Sequence, residues 1–296
     1  MKRVVSVSLG TSRRDHRASI QILGEDVEVE RVGMDGDLER ARLAIQTLDG
    51  QVDAIGLGGI DRYLVADQTR YEIRDARRLA EAASRTPVVD GSGLKDTWER
   101  WIVEDWIANG VLLPTMSVLM VSALDRFGMA ETFYRHGFSV LAGDLIFGSH
   151  INYPIESLAE LIELGKKLLP EMVKLPFSQL YPTGDLQITA PDDRYYEYFL
   201  DADVIAGDFH FIRRHAPTRL EQKVIVTNTT TALDREEFMS RGVRQIITTT
   251  PVIAGRTFGT NVMEAALVAV TGILPEEEAW PDIVRKARRQ LSREQK

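Results

Sequence analysis

Ser117-Val118-Leu119-Met120-Val121-Ser122-Ala123-Leu124-Asp125-Arg126-Phe127-Gly128-Met129-Ala130 is the stretch on which the fold turns. Residues 118–121, after Ser117, are an unbroken apolar run, the pattern of a strand covered on both faces. Asp125 to Gly128 read as a turn, and Met129 to His136 as a helix. Phe138 to Ala142 form a second apolar strand that ends at Gly143-Asp144. Strand, helix and strand in so short a span form a crossover unit, so the two strands are parallel.

The alternation extends in both directions. Upstream, Arg3 to Leu9 is a strand, and Ala18 to Leu23 and Val27 to Val32 flank Gly24-Glu25-Asp26 as a hairpin. Asp37 caps a helix that reaches Leu48. Val52 to Leu57 and Pro87 to Asp90 are strands; Asp75 to Ala83 and Leu94 to Ala108 are helices. Downstream, strands at Val204–Ala206, Lys223–Thr227 and Arg244–Thr248 alternate with helices near 210–216, 234–241 and 261–271. Residues 154–200, punctuated by Pro154, Pro170, Pro176, Pro182 and Pro191, read as a helical insertion, and Pro281 to Arg293 as a charged terminal helix. The pattern predicts an α/β protein with mostly parallel sheets in two domains. Residues 1–113 form a first α/β domain. Residues 114–296 form a second, Rossmann-like domain that includes the insertion and the C-terminal helix.

A chain of 296 residues is long enough for two such domains. Its 36 basic and 44 acidic side chains leave a net charge of −8. That balance argues against nucleic acid as a partner, because a phosphate backbone needs a basic surface. No apolar run approaches the ~18 residues of a membrane helix. Met1-Lys2-Arg3-Val4-Val5-Ser6-Val7 reads as a strand rather than a secretion signal, so a cytoplasmic location is expected. Cysteine is absent, which excludes thiol nucleophiles and Cys-ligated metals. The expected partner is a small-molecule substrate, and a homodimer is the default assembly.

Small and polar residues recur where strands end, and in open parallel sheets those ends form the ligand crevice. Four constellations follow. Ser122, Asp125, Gly128 and Met129 lie between a strand and a helix, with Asp144 at the end of the next strand. That is the layout of a dinucleotide site, phosphates on the helix N-terminus and an acid on the ribose. Of the G-x-G-x-x-G expected there, only Gly128 is present, and Asp125 would repel a pyrophosphate. In Asp90-Gly91-Ser92-Gly93-Leu94-Lys95, the amides of a helix start can hold an anion. Lys95 there either lowers its pKa to act as acid and base or stays charged, with Asp61 and Asp90 as carboxylate partners. Asp144, His150, Asp208 and His210 would bind a divalent metal only if their loops met; without ligand spacing, no metal site is expected. Thr227, Asn228 and Thr229, with Thr248 to Thr250, address a ribose, a polyol or a carboxylate without adding charge. Arg14 and Arg256 are placed to receive an acidic substrate.

Leu9-Gly10-Thr11-Ser12-Arg13-Arg14-Asp15-His16, Gly56-Leu57-Gly58-Gly59-Ile60-Asp61, Asp90-Gly91-Ser92-Gly93-Leu94-Lys95, Ala142-Gly143-Asp144-Leu145-Ile146-Phe147 and Ile225-Val226-Thr227-Asn228-Thr229-Thr230-Thr231 resemble, over nearly the whole chain, bacterial proteins labelled quinate 5-dehydrogenase. That group is distantly similar to the shikimate/quinate dehydrogenases. The resemblance implies a substrate domain followed by an NAD(P) domain, and oxidation of an alicyclic or small hydroxy acid. It implies that Lys95 exchanges the hydroxyl proton, with Asp61 or Asp90 orienting it. The cofactor, NAD or NADP, would then lie along Ser122, Asp125, Gly128, Met129, Asp144, Thr227, Asn228 and Thr229. Ser8, Thr11, Ser12 and Arg14 would take the substrate. The residues themselves leave a second reading open: a non-redox enzyme or a ligand-binding protein of the same architecture, with a phosphorylated or polyol ligand between the domains.

Overall fold

The computed structural model describes residues 1–180, 193–253 and 256–294. Pro182, Pro191 and the Arg256 side chain lie outside the described residues.

The first sheet contains β1 (Lys2–Ser8), the hairpin β2 (His16–Ile22) and β3 (Glu25–Gly33), and β4 (Ala54–Gly58). After helix α1 (Leu38–Leu48) and a small hairpin of β5 (Tyr63–Ala66) and β6 (Thr69–Glu72) comes α2 (Arg74–Ala80), then the edge strand β7 (Val88–Val89). The order is β2-β3-β1-β4-β7, and only β2 with β3 is antiparallel. Alternation along β1 sorts its residues. Val5, Val7 and Leu9 join the core of Ile45 from α1 and Leu79 from α2. Val4 and Ser6 face the other way. Burying a side chain such as Ile45 completely stabilises the fold by about 1.5–3 kcal/mol.

One helical run follows: α3 (Ser92–Leu94), a widened π-turn over Lys95–Glu99, and α4 (Arg100–Ala108). The second sheet holds β8 (Ser117–Met120), β9 (Ser139–Ala142), β10 (Val204–Ala206), β11 (Val224–Thr227) and β12 (Gln245–Thr248). Its order is β12-β11-β10-β8-β9, with every pair parallel. Helix α5 (Phe127–Arg135) links β8 to β9. The insertion supplies α6 (Leu158–Met172), α7 (Phe177–Leu180) and α8 (Tyr196–Asp201), while α9 (Phe209–His215) and α10 (Ala232–Ser240) connect the remaining strands. The winding reverses at β8, with β9 on one side and β10 on the other, so the crevice of this sheet opens between the ends of β8 and β10.

Two features depart from the sequence reading. Helix α11 (Thr260–Thr271) and helix α12 (Trp280–Glu294) were expected with the second domain, but they pack on the first sheet. Val262, Met263, Ala265, Ala266, Leu267 and Val268 are all buried, and a helix apolar on every side needs cover on every side. The free face of β1 and β4 supplies it. Gly56 permits the approach, because a Cβ there would stand 2.9 Å from the Asn261 carbonyl oxygen. The β5–β6 hairpin was also missed. Its signal was legible as two short alternating runs around Asp67-Gln68, a two-residue turn in which Asp67 has φ of +60°.

Candidate functional site

The carboxyl ends of the two sheets meet. Arg14, after β1, donates to the Thr229 carbonyl after β11 at 3.0 Å. Thr249, after β12, donates to Glu99 of the π-turn at 2.8 Å. Glu99 also takes the Arg126 guanidinium at 2.5 Å, with side chains 0% and 3% exposed. This ion pair, cut off from water, locks the π-turn of the first unit to the loop after β8.

Lys95 sits one turn from Glu99. Gly91, at φ of +92°, turns the chain out of β7, and the Lys95 amide closes the first turn on the Gly91 carbonyl. The Lys95 side chain is buried, and its Nζ donates to Asp61 Oδ1. Burial opposes its charge, but the Asp61 and Asp125 carboxyls outweigh burial and raise its pKa, so Lys95 is an ammonium. Its depressed-pKa alternative is thereby set aside. The Asp125 pKa also rises, but here the neutral form gains: burial pushes its carboxyl up to about 7, against the pull of Lys95 and Arg126. Ser122 Oγ donates to Asp125 at 2.9 Å. Asp90 stands behind this group. Its Oδ2 accepts from the Arg62 amide at 2.7 Å and the Ser92 hydroxyl at 2.6 Å, so it shapes the loops that carry Asp61 and Lys95.

Both loops read as phosphate cradles are filled from within the chain. The Ala123 and Leu124 amides after β8 donate to Asp144 at 2.9–3.0 Å. The Leu124 carbonyl accepts from Val65 of β5 at 2.9 Å, and Gly165 of α6 packs against both Ala66 and Leu124. Phe127, Gly128 and Met129 are buried, and a Cβ on Gly128 would stand 3.1 Å from the Lys95 carbonyl oxygen. A dinucleotide placed along Ser122, Gly128, Met129 and Asp144 does not fit these residues. The amides are taken, the helix start is covered by the β5–β6 hairpin and the π-turn, and Asp125 adds negative potential. The second cradle is filled likewise: Glu264 of α11 accepts from the Gly91 and Leu94 amides, both at 2.8 Å. Burial raises the Glu264 carboxyl to about 8, with Asp90 adding to the effect.

The remaining candidates divide. Thr227 Oγ1 donates to the Gly207 carbonyl at 2.8 Å, a structural bond. Asn228 is buried with no partner for Oδ1 among the described residues, and Thr229 holds a φ of +53°. Ser8 Oγ accepts from Arg31 at 3.0 Å, the Thr11 carbonyl accepts from the same guanidinium at 3.0 Å, and the Ser12 amide donates to Asp35 at 2.7 Å. These contacts brace the loop after β1. Arg14 lies within 2.6–2.9 Å of the His210 ring and 3.4 Å from Asp234, so it bridges the two units. Burial depresses His210 to about 4, with the neighbouring Arg14 charge acting in the same sense. Asp144 is committed to its amides and Asp208 caps α9. Among the described residues, no three His, Asp or Glu gather to hold a metal ion, and no helix is long and apolar enough to cross a membrane. Sequence reasoning did not single out Glu99 or Glu264. Neither sits in a motif, and only the packing of distant helices reveals them.

A search of curated proteins finds no match. Among solved structures, the chain is similar to a glutamate dehydrogenase from Thermus thermophilus, with 13% identity, a TM-score of 0.46, and 99% of this chain and 73% of that one covered. It is similar to a shikimate 5-dehydrogenase, also from Thermus thermophilus, with 13% identity, a TM-score of 0.39, and 99% and 100% covered. It is also similar to an NAD-dependent malic enzyme from Thermotoga maritima, with 12% identity and a TM-score of 0.33. That match covers 83% of this chain but 65% of the malic enzyme, less than two thirds of its length. These scores bear on neither substrate nor cofactor. Residues 3–90 match a family model described as a domain of unknown function, DUF8753. Residues 93–291, two thirds of the chain, match a second such model, and the chain therefore belongs to the family described as domain of unknown function DUF8754.

Proposed function

We propose that this protein is an enzyme that moves a proton on a hydroxyl group of a small hydroxylated acid or polyol held where its two sheets meet. The observation that carries this reading is the buried Lys95 ammonium bonded to Asp61, with the Asp125 carboxyl beside it near its midpoint at neutral pH. A general acid–base group works best when its pKa lies near the working pH. In the first step the substrate O–H bond breaks, and its proton forms a new O–H bond on the Asp125 carboxylate. Lys95 donates to the oxygen left negative, while Asp61 holds the ammonium in place. Asp90 positions both loops.

The filled cradles favour the non-redox form of this reading. A second reading, NAD(P)-dependent oxidation of a quinate-like hydroxy acid, is supported by the lysine–aspartate pair that the family resemblance implies. It requires the dinucleotide to lie away from Ser122 to Met129. Titration with NAD(H) and NADP(H), followed by a turnover screen over hydroxy acids and polyols, separates the two. The non-redox form predicts no saturable binding of either nucleotide at millimolar concentration. Turnover that survives Lys95→Met undiminished would remove the proposal in both forms, because a positioned proton-handling group contributes about 100- to 10,000-fold.

A further inference from the structure

Along β7, the edge strand of the first sheet, lies a separate cavity of about 130 Å³. Liquid water takes about 30 Å³ per molecule, so the space suits about four waters or one very small organic molecule. One wall is cationic and aromatic. The guanidinium carbons of Arg62 and Arg70 lie 5.2 and 5.7 Å from the centre of the Tyr63 ring. Arg62 is held by Glu72 at 2.7 Å. Arg70 has no hydrogen bond or ion pair among the described residues, and neither has the Tyr63 hydroxyl. The lining also includes the buried Asp90, Pro275 and the exposed Glu276, whose carboxylate is likewise unpartnered among the described residues. Glu276 lines the cavity and raises the pKa values of Tyr63 and Glu264 through its charge. Gly93, also in the lining, lets its neighbours close in: a Cβ there would meet Pro275 at 2.6 Å and Glu264 and the Trp280 indole nitrogen at 2.9 Å. That indole N–H is buried without a partner among the described residues.

A cavity whose lining includes an uncommitted guanidinium and an uncommitted carboxylate matches a small molecule carrying both charges. A lone carboxylic acid would meet Glu276 unfavourably, and a lone amine would meet Arg70. We propose that this cavity binds a short α-amino acid, its carboxylate toward Arg70 and Arg62 and its ammonium toward Glu276. Tyr63, whose pKa burial raises, keeps its hydroxyl proton and can donate to the same carboxylate.

Calorimetric titration of the full chain tests this with glycine, L-alanine, L-serine and L-aspartate, alongside glycerate and ethanolamine, which each lack one charge of serine. At least one amino acid should bind saturably, with glycerate and ethanolamine at least about tenfold weaker. Arg70→Ala and Glu276→Gln, both exposed side chains, should each weaken binding by about tenfold or more. Lys95→Met should leave it unchanged, so failure here is distinct from failure of the proposed enzyme function. No binding of any of the four amino acids overturns the assignment. So do glycerate or ethanolamine binding as tightly as serine, and Arg70→Ala or Glu276→Gln binding like the parent protein.

Discussion

Two kinds of strand-end loop face each other in this protein. After β8 and after β7, backbone amides that might have gripped a phosphate grip Asp144 and Glu264 instead. After β4, Asp61 holds a lysine ammonium brought in by the π-turn. All three are carboxylates near the ends of parallel strands or facing them, and local sequence does not tell them apart. What separates them is the partner: a carboxylate bound to amides is a cap, whereas one bound to a lysine ammonium pairs two groups that can exchange protons with a ligand. The same fold position thus serves architecture in one loop and reactivity in another.

The sharpest way to break this comparison is to attack the seam between the two kinds of loop. Glu99→Gln leaves the Arg126 charge buried and half-partnered, and removal of one member of a buried ion pair costs about 3–5 kcal/mol. Urea melts should show that loss with an unchanged slope. Asp144→Ala should cost less, about 1–3 kcal/mol, because it strands the Ala123 and Leu124 amides without a charge. If the cap view is right, turnover per folded molecule survives this change. A fall as large as that of Lys95→Met would place Asp144 in the active machinery instead.

A further test lies in pH. Asp125 has a folded-state pKa of about 7 against ~3.9 in the unfolded chain. A raised acid contributes stability that is complete below about pH 4 and lost as pH rises toward 7. The slope is at most about 1.4 kcal/mol per pH unit. Asp125→Asn should remove that slope. His210, depressed to about 4 from its usual 6.5, acts in reverse: its contribution is complete above pH 6.5 and lost as pH falls toward 4. His210→Gln should therefore flatten the acid limb and leave the neutral limb intact.

Much of the fold was legible because parallel strands buried on both faces write themselves as apolar runs. Ser117–Val121 and Lys223–Thr227 are of that kind, and the structure holds strands at both. The pairing of Lys95 with Asp61 was also within reach, since both residues follow strands whose ends adjoin. The destination of α11 was not, because an all-round apolar helix names no partner. Nor was the filling of the cradles. Asp144 looked like a ribose ligand from its spacing, and only the β5–β6 hairpin and α6, closing over Leu124, show that the loop beneath is occupied. Asp125 was read as an obstacle to phosphate, and its proximity to Lys95 depends on two elements about thirty residues apart.

Carbon-detected NMR titration of the aspartate carboxyls and lysine side chains in the intact protein bears most directly on the reactive cluster. Asp125 should titrate with a midpoint near 7 while the Lys95 ammonium persists throughout that range. An Asp125 midpoint near 4, or a Lys95 that loses its proton below its ordinary value, would contradict the account.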